Sequence, residues 1–148
     1  MTPISHRAML AIAAVADIAM HSRPQPVAAK ALATRLELPP RHLETLLQAL
    51  VRANILKGLR GPHGGYELAR ERRRITAGAV LRAVLGENAG PAEAAGGPLV
   101  AHVIGPMIET ASAAFLKELD AITIEDVCRR AGELKVGGDG ASGADFAI

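Results

Sequence analysis

The feature that most constrains the fold is a leucine stripe between residues 40 and 53. Its apolar positions fall at i, i+3, i+4, i+7 and i+8, and they are Leu43, Leu46, Leu47, Leu50 and Val51. This spacing is typical of a helix that buries one face and leaves the other in water. Pro40 suits the first turn of such a helix, and Asn54 tolerates the left-handed backbone that ends one. The pattern therefore predicts an amphipathic helix over 40–53.

Two further helices are predicted before this one. Residues 4–21 carry apolar side chains at near-helical spacing and contain no Gly and no Pro after residue 3. Residues 22–26 contain two prolines and end that helix, and a short second helix follows over 27–36. The connection at 37–39 is tight, as in a pair of helices that pack at a steep angle.

A hairpin is predicted directly after the leucine-striped helix. Two short strands, 55–60 and 66–70, flank a tip of turn-forming residues from Gly61 to Gly65. Thr76 is a plausible N-cap for a fourth helix over 77–85. The order of helix, tight turn, helix and Gly-tipped hairpin is that of a winged helix-turn-helix. Aromatic residues make up only 2% of the chain, which argues against a larger sheet, so the predicted class is mainly α with one small hairpin.

The second half predicts a linker and a long helix. Residues 86–98 contain four Gly and two Pro, and residues 99–119 form an apolar helix interrupted at Gly105-Pro106. A capping-box-like start at Thr123 predicts a last short helix that ends near Gly132. The predicted domains are therefore 1–85 for the winged helix, 86–98 for the linker, 99–132 for dimerisation and 133–148 for a frayed tail. The apolar 99–119 helix fits either the core of a monomer or a subunit interface, and the shortness of the chain favours the interface.

The charge is sorted along the chain, although the net charge is only +2. Residues 1–75 hold twelve Lys and Arg against five Asp and Glu, whereas residues 76–148 hold five against ten. A basic first half suggests that this part meets a polyanion, although two solvated faces with an accidental bias would give the same count.

Candidate DNA contacts follow from the dimensions of the duplex. A major groove about 12 Å wide admits one helix, whose polar face can reach base edges. Arg60, at the neck of the hairpin, can enter a narrow minor groove, where negative potential is enhanced. The arginines after the hairpin, Arg73 among them, suit phosphates. The predicted contacts are Arg41, His42, Glu44, Thr45, Gln48 and Arg52 on the helix, Arg60 and His63 on the hairpin, and Arg73 after it.

Several classes of site are excluded or disfavoured. The single cysteine, Cys128, rules out an internal disulfide and a thiolate-built metal site within one chain. The five histidines show no metal-ligand spacing, and no nucleophile–base pair is evident, so neither a metal nor an enzyme is predicted. Cys128 lies beside Arg129 and Arg130, which would favour a redox-active thiolate, but most lone cysteines are small apolar core residues. No apolar run reaches the roughly 18 residues of a membrane span, so no membrane partner is expected.

Three stretches of the chain resemble the Rrf-two family of bacterial transcription regulators, which includes the IscR, NsrR and CymR types. They are the six residues from Ala31 to Leu36, the eight from Pro40 to Leu47 and, above all, Leu59-Arg-Gly-Pro-His-Gly-Gly-Tyr-Glu-Leu-Ala69. The resemblance covers about residues 4–130.

This resemblance implies a homodimer that binds a pseudo-palindromic DNA operator. The single cysteine suits a reducing cytoplasm, and a repressor is expected rather than an activator. The resemblance also implies that the helix from Pro40 reads the bases, with Arg41 and Glu44 facing them, and that Arg60 enters the minor groove. A carboxylate at Glu44 would accept a hydrogen bond from a cytosine amino group and so favour selectivity.

One departure from the family matters most. Many members hold an iron–sulfur cluster with three cysteines in the loop after the fourth helix, and residues 86–98 contain none. The chain therefore resembles the cluster-free branch, whose members respond to partner proteins, small molecules or thiol oxidation, and no cofactor is predicted. The alternative function is a winged helix that regulates a partner protein without touching DNA.

Overall fold

The computed structural model describes residues 4–85 and 95–136. In these ranges the chain forms helices α1 to α7, strands β1 and β2, and a 3₁₀ turn at Arg72–Arg74 after β2. The bounds are α1 His6–His21, α2 Ala29–Leu36, α3 Pro40–Arg52, β1 Leu56–Leu59, β2 Gly65–Leu68, α4 Ala77–Leu85, α5 Gly97–Leu99, α6 Gly105–Asp120 and α7 Ile124–Glu133. The predicted class, mainly α with a small hairpin in a winged helix-turn-helix, is confirmed.

The first three helices begin and end where local chemistry dictates. The Ser5 hydroxyl accepts a hydrogen bond from the Ala8 backbone N–H (3.2 Å) and caps α1. Glu37 adopts a left-handed conformation (φ 54°) that ends α2, and Pro40 opens α3. Asn54 follows α3 with φ 59°, as predicted, and turns the chain into the hairpin.

The core is built from the leucine stripe and the small residues of α1. Leu43, Leu47 and Leu50 are fully buried among alanines of α1 and the apolar face of α4. Val51, expected in the stripe, is instead 37% exposed, and Ala49 is buried. Both residues lie at an edge of the stripe, and the small Ala49 is the one that the neighbouring elements cover.

The hairpin is a two-stranded antiparallel sheet whose register pairs Leu56 with Leu68 and Leu59 with Gly65. Val27 extends this sheet by one bridge, because its backbone exchanges hydrogen bonds of 2.9 and 2.8 Å with Tyr66. Val27 therefore lies in the sheet and not in the second helix, where the sequence analysis placed it, and α2 begins two residues later.

A continuous helix runs from Gly97 to Asp120 and comprises α5, a π-helical turn at Val100–Ile104 and α6. The predicted interruption at Gly105-Pro106 corresponds to this wide turn, which ends just before Gly105. The helix starts inside the predicted 86–98 linker, because Pro98 fits a first helical turn. Linker residues 86–94 and tail residues 137–148 lie outside the described residues.

This long helix is long and apolar enough to cross a membrane by length and composition, with a mean hydropathy of 1.5 and none of that window buried. The expectation that no segment reaches this length is therefore wrong. Gly, Pro, Ser and Thr interrupt the apolar run without lowering its mean hydropathy much. A helix that pairs with a second copy meets the same two criteria.

The last helix, α7, folds back onto the winged domain. Thr123 and Asp126 form the predicted capping box, and the hydrogen bond from the Thr123 backbone N–H is the main reason that the pKa of Asp126 lies below its usual value. Ile124 is fully buried, and its N–H donates to the Ile75 carbonyl (2.8 Å). This placement differs from the expected division at residue 99, because α7 belongs to the core of the first domain.

An ion pair joins the long helix to the winged domain. Arg82 on α4 donates to both carboxylate oxygens of Asp120, at 2.6 and 2.9 Å, and these hydrogen bonds lower the pKa of Asp120. Gly78 leaves room for that carboxylate, since a Cβ at this position would clash with it. The C-terminal end of the long helix is thereby attached to α4.

Candidate nucleic-acid interface

Helix α3 presents a polar face to solvent along its whole length. Arg41, Glu44, Thr45, Gln48 and Arg52 are all exposed. At 3.6 residues per turn, these five positions lie within about 100° of one another, opposite Leu43. His42 is exposed as well but is offset by about 60° from the nearest of them. The structure therefore brings five of the six predicted helix contacts onto one strip about 16 Å long.

The side chains on this strip are largely uncommitted to the protein itself. The Thr45 hydroxyl donates to the Arg41 carbonyl within the helix (3.4 Å). Arg41, Glu44 and Gln48 form no side-chain hydrogen bond or ion pair with any residue that the structure describes. Guanidinium, carboxylate and amide groups in this state can exchange water for base edges without breaking an internal contact.

The tip of the hairpin depends on glycine for its shape. Gly61 has φ 115° and Gly65 has φ 152°, conformations that other residues rarely adopt. A Cβ at Gly64 would clash with the Leu59 carbonyl, and one at Gly65 with the Val27 carbonyl. Arg60 and His63 are exposed on this compact tip, so the glycines hold a cation at the far end of the wing.

The arginines that follow the wing are divided between different partners. Arg73 is 70% exposed and pairs with Glu71 (2.7 Å), and Arg70 donates from Nε to the Asn54 carbonyl (3.2 Å). Arg72 pairs with Glu125 on α7 (2.6 Å), which ties it to the body of the domain. Among the predicted phosphate contacts of this run, Arg73 thus remains accessible although it is shared with Glu71.

A buried ion pair supports the helix-turn-helix from beneath. Asp17 on α1 is 5% exposed and accepts three hydrogen bonds of 2.8 to 3.2 Å from Arg35 on α2. His21 lies one turn along α1, with Nδ1 at 3.4 Å from Asp17 Oδ1. The sequence analysis missed this pair; its only signal was a carboxylate within an otherwise apolar helix stripe.

Cys128 lies in the core and not at a surface. Its thiol donates to the Ala16 carbonyl (3.7 Å), and burial raises its pKa, although Arg72 acts in the opposite direction. Arg129 and Arg130, the neighbours thought to activate it, pair instead with Asp126 and Glu133. The geometry suits the apolar packing role better than that of an exposed redox sensor.

The donor set does not fit an iron–sulfur cluster. The chain has one cysteine, and its sulfur points into the core. Within residues 4–85 and 95–136, no three His, Cys, Asp or Glu side chains come together as metal ligands would. A cluster normally requires several thiolates on one face, and this chain does not supply them.

Comparison with known proteins gives a consistent match. The model of a protein family described as "Rrf2: Iron-dependent Transcriptional regulator" matches residues 4–130. Protein rrf2 of Nitratidesulfovibrio vulgaris is 33% identical over 120 residues, which cover 78% of this chain and 79% of that protein. The chain spans about half the length of the curated IscR relatives that it matches.

Two solved structures are also similar. T. potens IscR has a TM-score of 0.71 at 30% identity, and the match covers 90% of each chain. CymR, described as the global cysteine regulator of B. subtilis, has a TM-score of 0.65 at 27% identity, covering 88% of this chain and 98% of CymR.

Proposed function

The chain belongs to the Rrf2 family of transcription regulators, and from this premise we propose that it is a cytoplasmic repressor that binds a pseudo-palindromic operator as a homodimer. The observation that carries the proposal is the exposed polar strip of α3 beside an arginine-bearing, glycine-shaped wing. In this arrangement α3 reads the major groove, Arg60 enters the adjacent minor groove and Arg73 contacts phosphate. Glu44 selects cytosine at one position of each half-site.

The homodimer is supported by an apolar strip on the long helix. Its members recur at intervals of one and three residues and are 37–68% exposed: Leu99, Val100, Val103, Ile104, Met107 and Ile108. Contiguous exposed apolar side chains of this kind mark sites of interaction with another protein or a membrane. Pairing with the same strip of a second copy buries both and sets two α3 helices at the separation of two half-sites.

We also propose that this regulator works without an iron–sulfur cluster. The family is described as iron-dependent, but the donor set above lacks the thiolates for a cluster. The purified protein should therefore be colourless and contain no stoichiometric iron. A brown preparation with iron bound to the folded chain would contradict this.

The function is tested by selecting bound sequences from a random DNA pool and then titrating the selected duplex in a mobility-shift assay at several salt concentrations. A palindromic consensus with two half-sites about one helical turn apart is expected. Absence of salt-dependent DNA binding would instead favour the protein-interaction alternative.

We expect Arg60→Ala to weaken binding to the selected operator by roughly 1–3 kcal/mol, because a minor-groove arginine loses an enhanced electrostatic interaction. The measurement is the dissociation constant at fixed salt. Arg130→Ala, on the exposed side of α7 away from the wing, is the control and should leave the affinity unchanged. Equal affinities for the Arg60 variant and the wild type would remove the wing from the mechanism.

Arg73→Gln should change the salt dependence more than the sequence preference. Each lost phosphate contact lowers the slope of log affinity against log salt by about 0.9, so a dimer should lose nearly two units. The loss should be the same for selected and random duplexes, because a phosphate carries no base information. An unaltered slope, measured beside Arg129→Gln as a control, would show that Arg73 does not reach DNA.

A further inference from the structure

A groove of about 830 Å³ lies at the root of the wing, separate from the polar strip of α3. Its walls are the C-terminal turn of α1, residues 22–24, the end of β2, residues 70–73 and Glu125 of α7. Three parts of the molecule therefore meet there: the first helix, the wing and the helix that follows α6.

The strand register places this groove away from the DNA-facing tip. Val27 pairs antiparallel with Tyr66, so residues 23 and 24 run alongside residues 68–70. Residues 68–70 lie three or more residues beyond Gly65, or roughly 10 Å along the strand. They are therefore at the end of the hairpin opposite the turn at Gly61–Gly64. DNA bound at the wing tip leaves the part of the groove around Arg23 and Pro24 accessible, although the groove also borders Arg73, the proposed phosphate contact.

Two guanidinium groups in the groove have N–H donors that no carboxylate in the described part of the chain accepts. Each of its three carboxylates is already paired: Glu67 with Lys57 (2.8 Å), Glu71 with Arg73 (2.7 Å) and Glu125 with Arg72 (2.6 Å). The two remaining arginines are less engaged. Arg23 forms no hydrogen bond or ion pair with any described residue, and Arg70 uses Nε alone, which leaves its terminal nitrogens available.

Part of the groove's lining is apolar. Ala19, Met20 and Leu68 are half-buried and line the groove together with Pro24. Two guanidinium groups and a short apolar lining in one groove match a ligand with a carboxylate or phosphate at one end and a compact apolar body.

We propose that this groove is a binding site for a small amphipathic anion, whose charged end is held by Arg23 and Arg70 and whose apolar body packs against Met20 and Leu68. The ligand contacts the wing root and, through the Arg72–Glu125 pair, lies against α7. The site requires no DNA, so its test is independent of the proposed function.

The test uses the full chain, labelled for amide correlation spectra, with hexanoate as the probe. Hexanoate should shift the amide signals of residues 19–23 and 67–73 in a saturable manner. Arg23→Gln should weaken the apparent affinity roughly tenfold, since a charge-assisted hydrogen bond is lost. This variant is expected to fold normally because the Arg23 side chain bonds no described residue. Arg130→Gln on α7, which lies outside the groove's lining, is the matched control and should bind as the wild type does.

Two further probes test separately whether binding requires the negative charge and the apolar body of the ligand. Hexylamine carries the same apolar body with the opposite charge and should not shift these signals. Inorganic phosphate lacks the apolar body and should bind more weakly than hexanoate. The proposal is overturned by non-saturating shifts or by equal responses of the Arg23 and Arg130 variants. It is also overturned by binding of hexylamine, by phosphate binding as tightly as hexanoate, or by shifts confined to the long helix.

Discussion

Ile108→Glu should convert the proposed dimer into a monomer and lower operator affinity by about 100-fold or more. Ile108 is 60% exposed in a single chain and lies in the apolar strip of the long helix. In a symmetric dimer the substitution would bury two carboxylates without partners, and the desolvation cost of several kcal/mol for each exceeds what the interface can tolerate. Loss of the second half-site removes the gain that linked binding modules provide.

The control for this experiment is Ala113→Glu, which adds the same charge to the same helix. Residue 113 is exposed and lies about 140° around the helix from residue 108. Light scattering after size-exclusion chromatography should give the mass of two chains for the wild type and Ala113→Glu, and of one chain for Ile108→Glu. A monomeric wild type, or one that co-sediments with lipid vesicles, would assign the apolar strip to another partner.

Asp17→Ala should lower the free energy of unfolding by about 3 kcal/mol. The substitution leaves the Arg35 guanidinium against the core without its carboxylate, and breaking a buried pair typically costs 3–5 kcal/mol. The low end of this range applies because the Arg35 side chain keeps 30% exposure to water, which screens its charge once the Asp17 carboxylate is gone. Urea unfolding monitored by circular dichroism measures the difference.

Two further variants separate the buried charge from ordinary loss of packing. In the double variant Asp17→Ala/Arg35→Met, no unpaired charge remains, so a large part of the lost stability should return. Arg130→Gln breaks the exposed pair with Glu133 on α7 and should change stability by less than about 1 kcal/mol. An Asp17→Ala effect no larger than that of Arg130→Gln would show that the buried pair does not hold α1 to α2.

The candidate DNA interface was largely predictable because it depends on local spacing. Positions 41, 44, 45, 48 and 52 lie on one face of any helix that buries Leu43, Leu47 and Leu50. The wing was predictable for a similar reason, since Gly61 and Gly65 mark backbone conformations that other residues rarely adopt. Both features need only the period of a helix and the turn preferences of glycine.

The misplaced elements depend on contacts between residues distant in the chain. The sequence pattern predicted Val27 at the start of a helix, but Val27 pairs with Tyr66. It predicted α7 as part of the dimerisation segment, but α7 packs on α1. The thiol of Cys128 donates to the Ala16 carbonyl, a contact that its sequence neighbours Arg129 and Arg130 do not reveal. The spacing of residues within one segment does not reveal contacts of this kind, because each contact joins segments that are far apart in the chain.

The amino-acid order alone thus determined which segments are helices, where the hairpin turns, which face of α3 stays polar and that the thiols for a cluster are missing. Only the tertiary structure decided that Asp17 meets Arg35, that Glu125 meets Arg72 and that four arginines surround one groove at the wing root. The physical reason is the range of the interactions. Helical period and turn geometry act over a few residues, whereas ion pairs and grooves arise when packing brings together side chains far apart in the chain, such as Arg72 with Glu125 and Ala19 with Glu125.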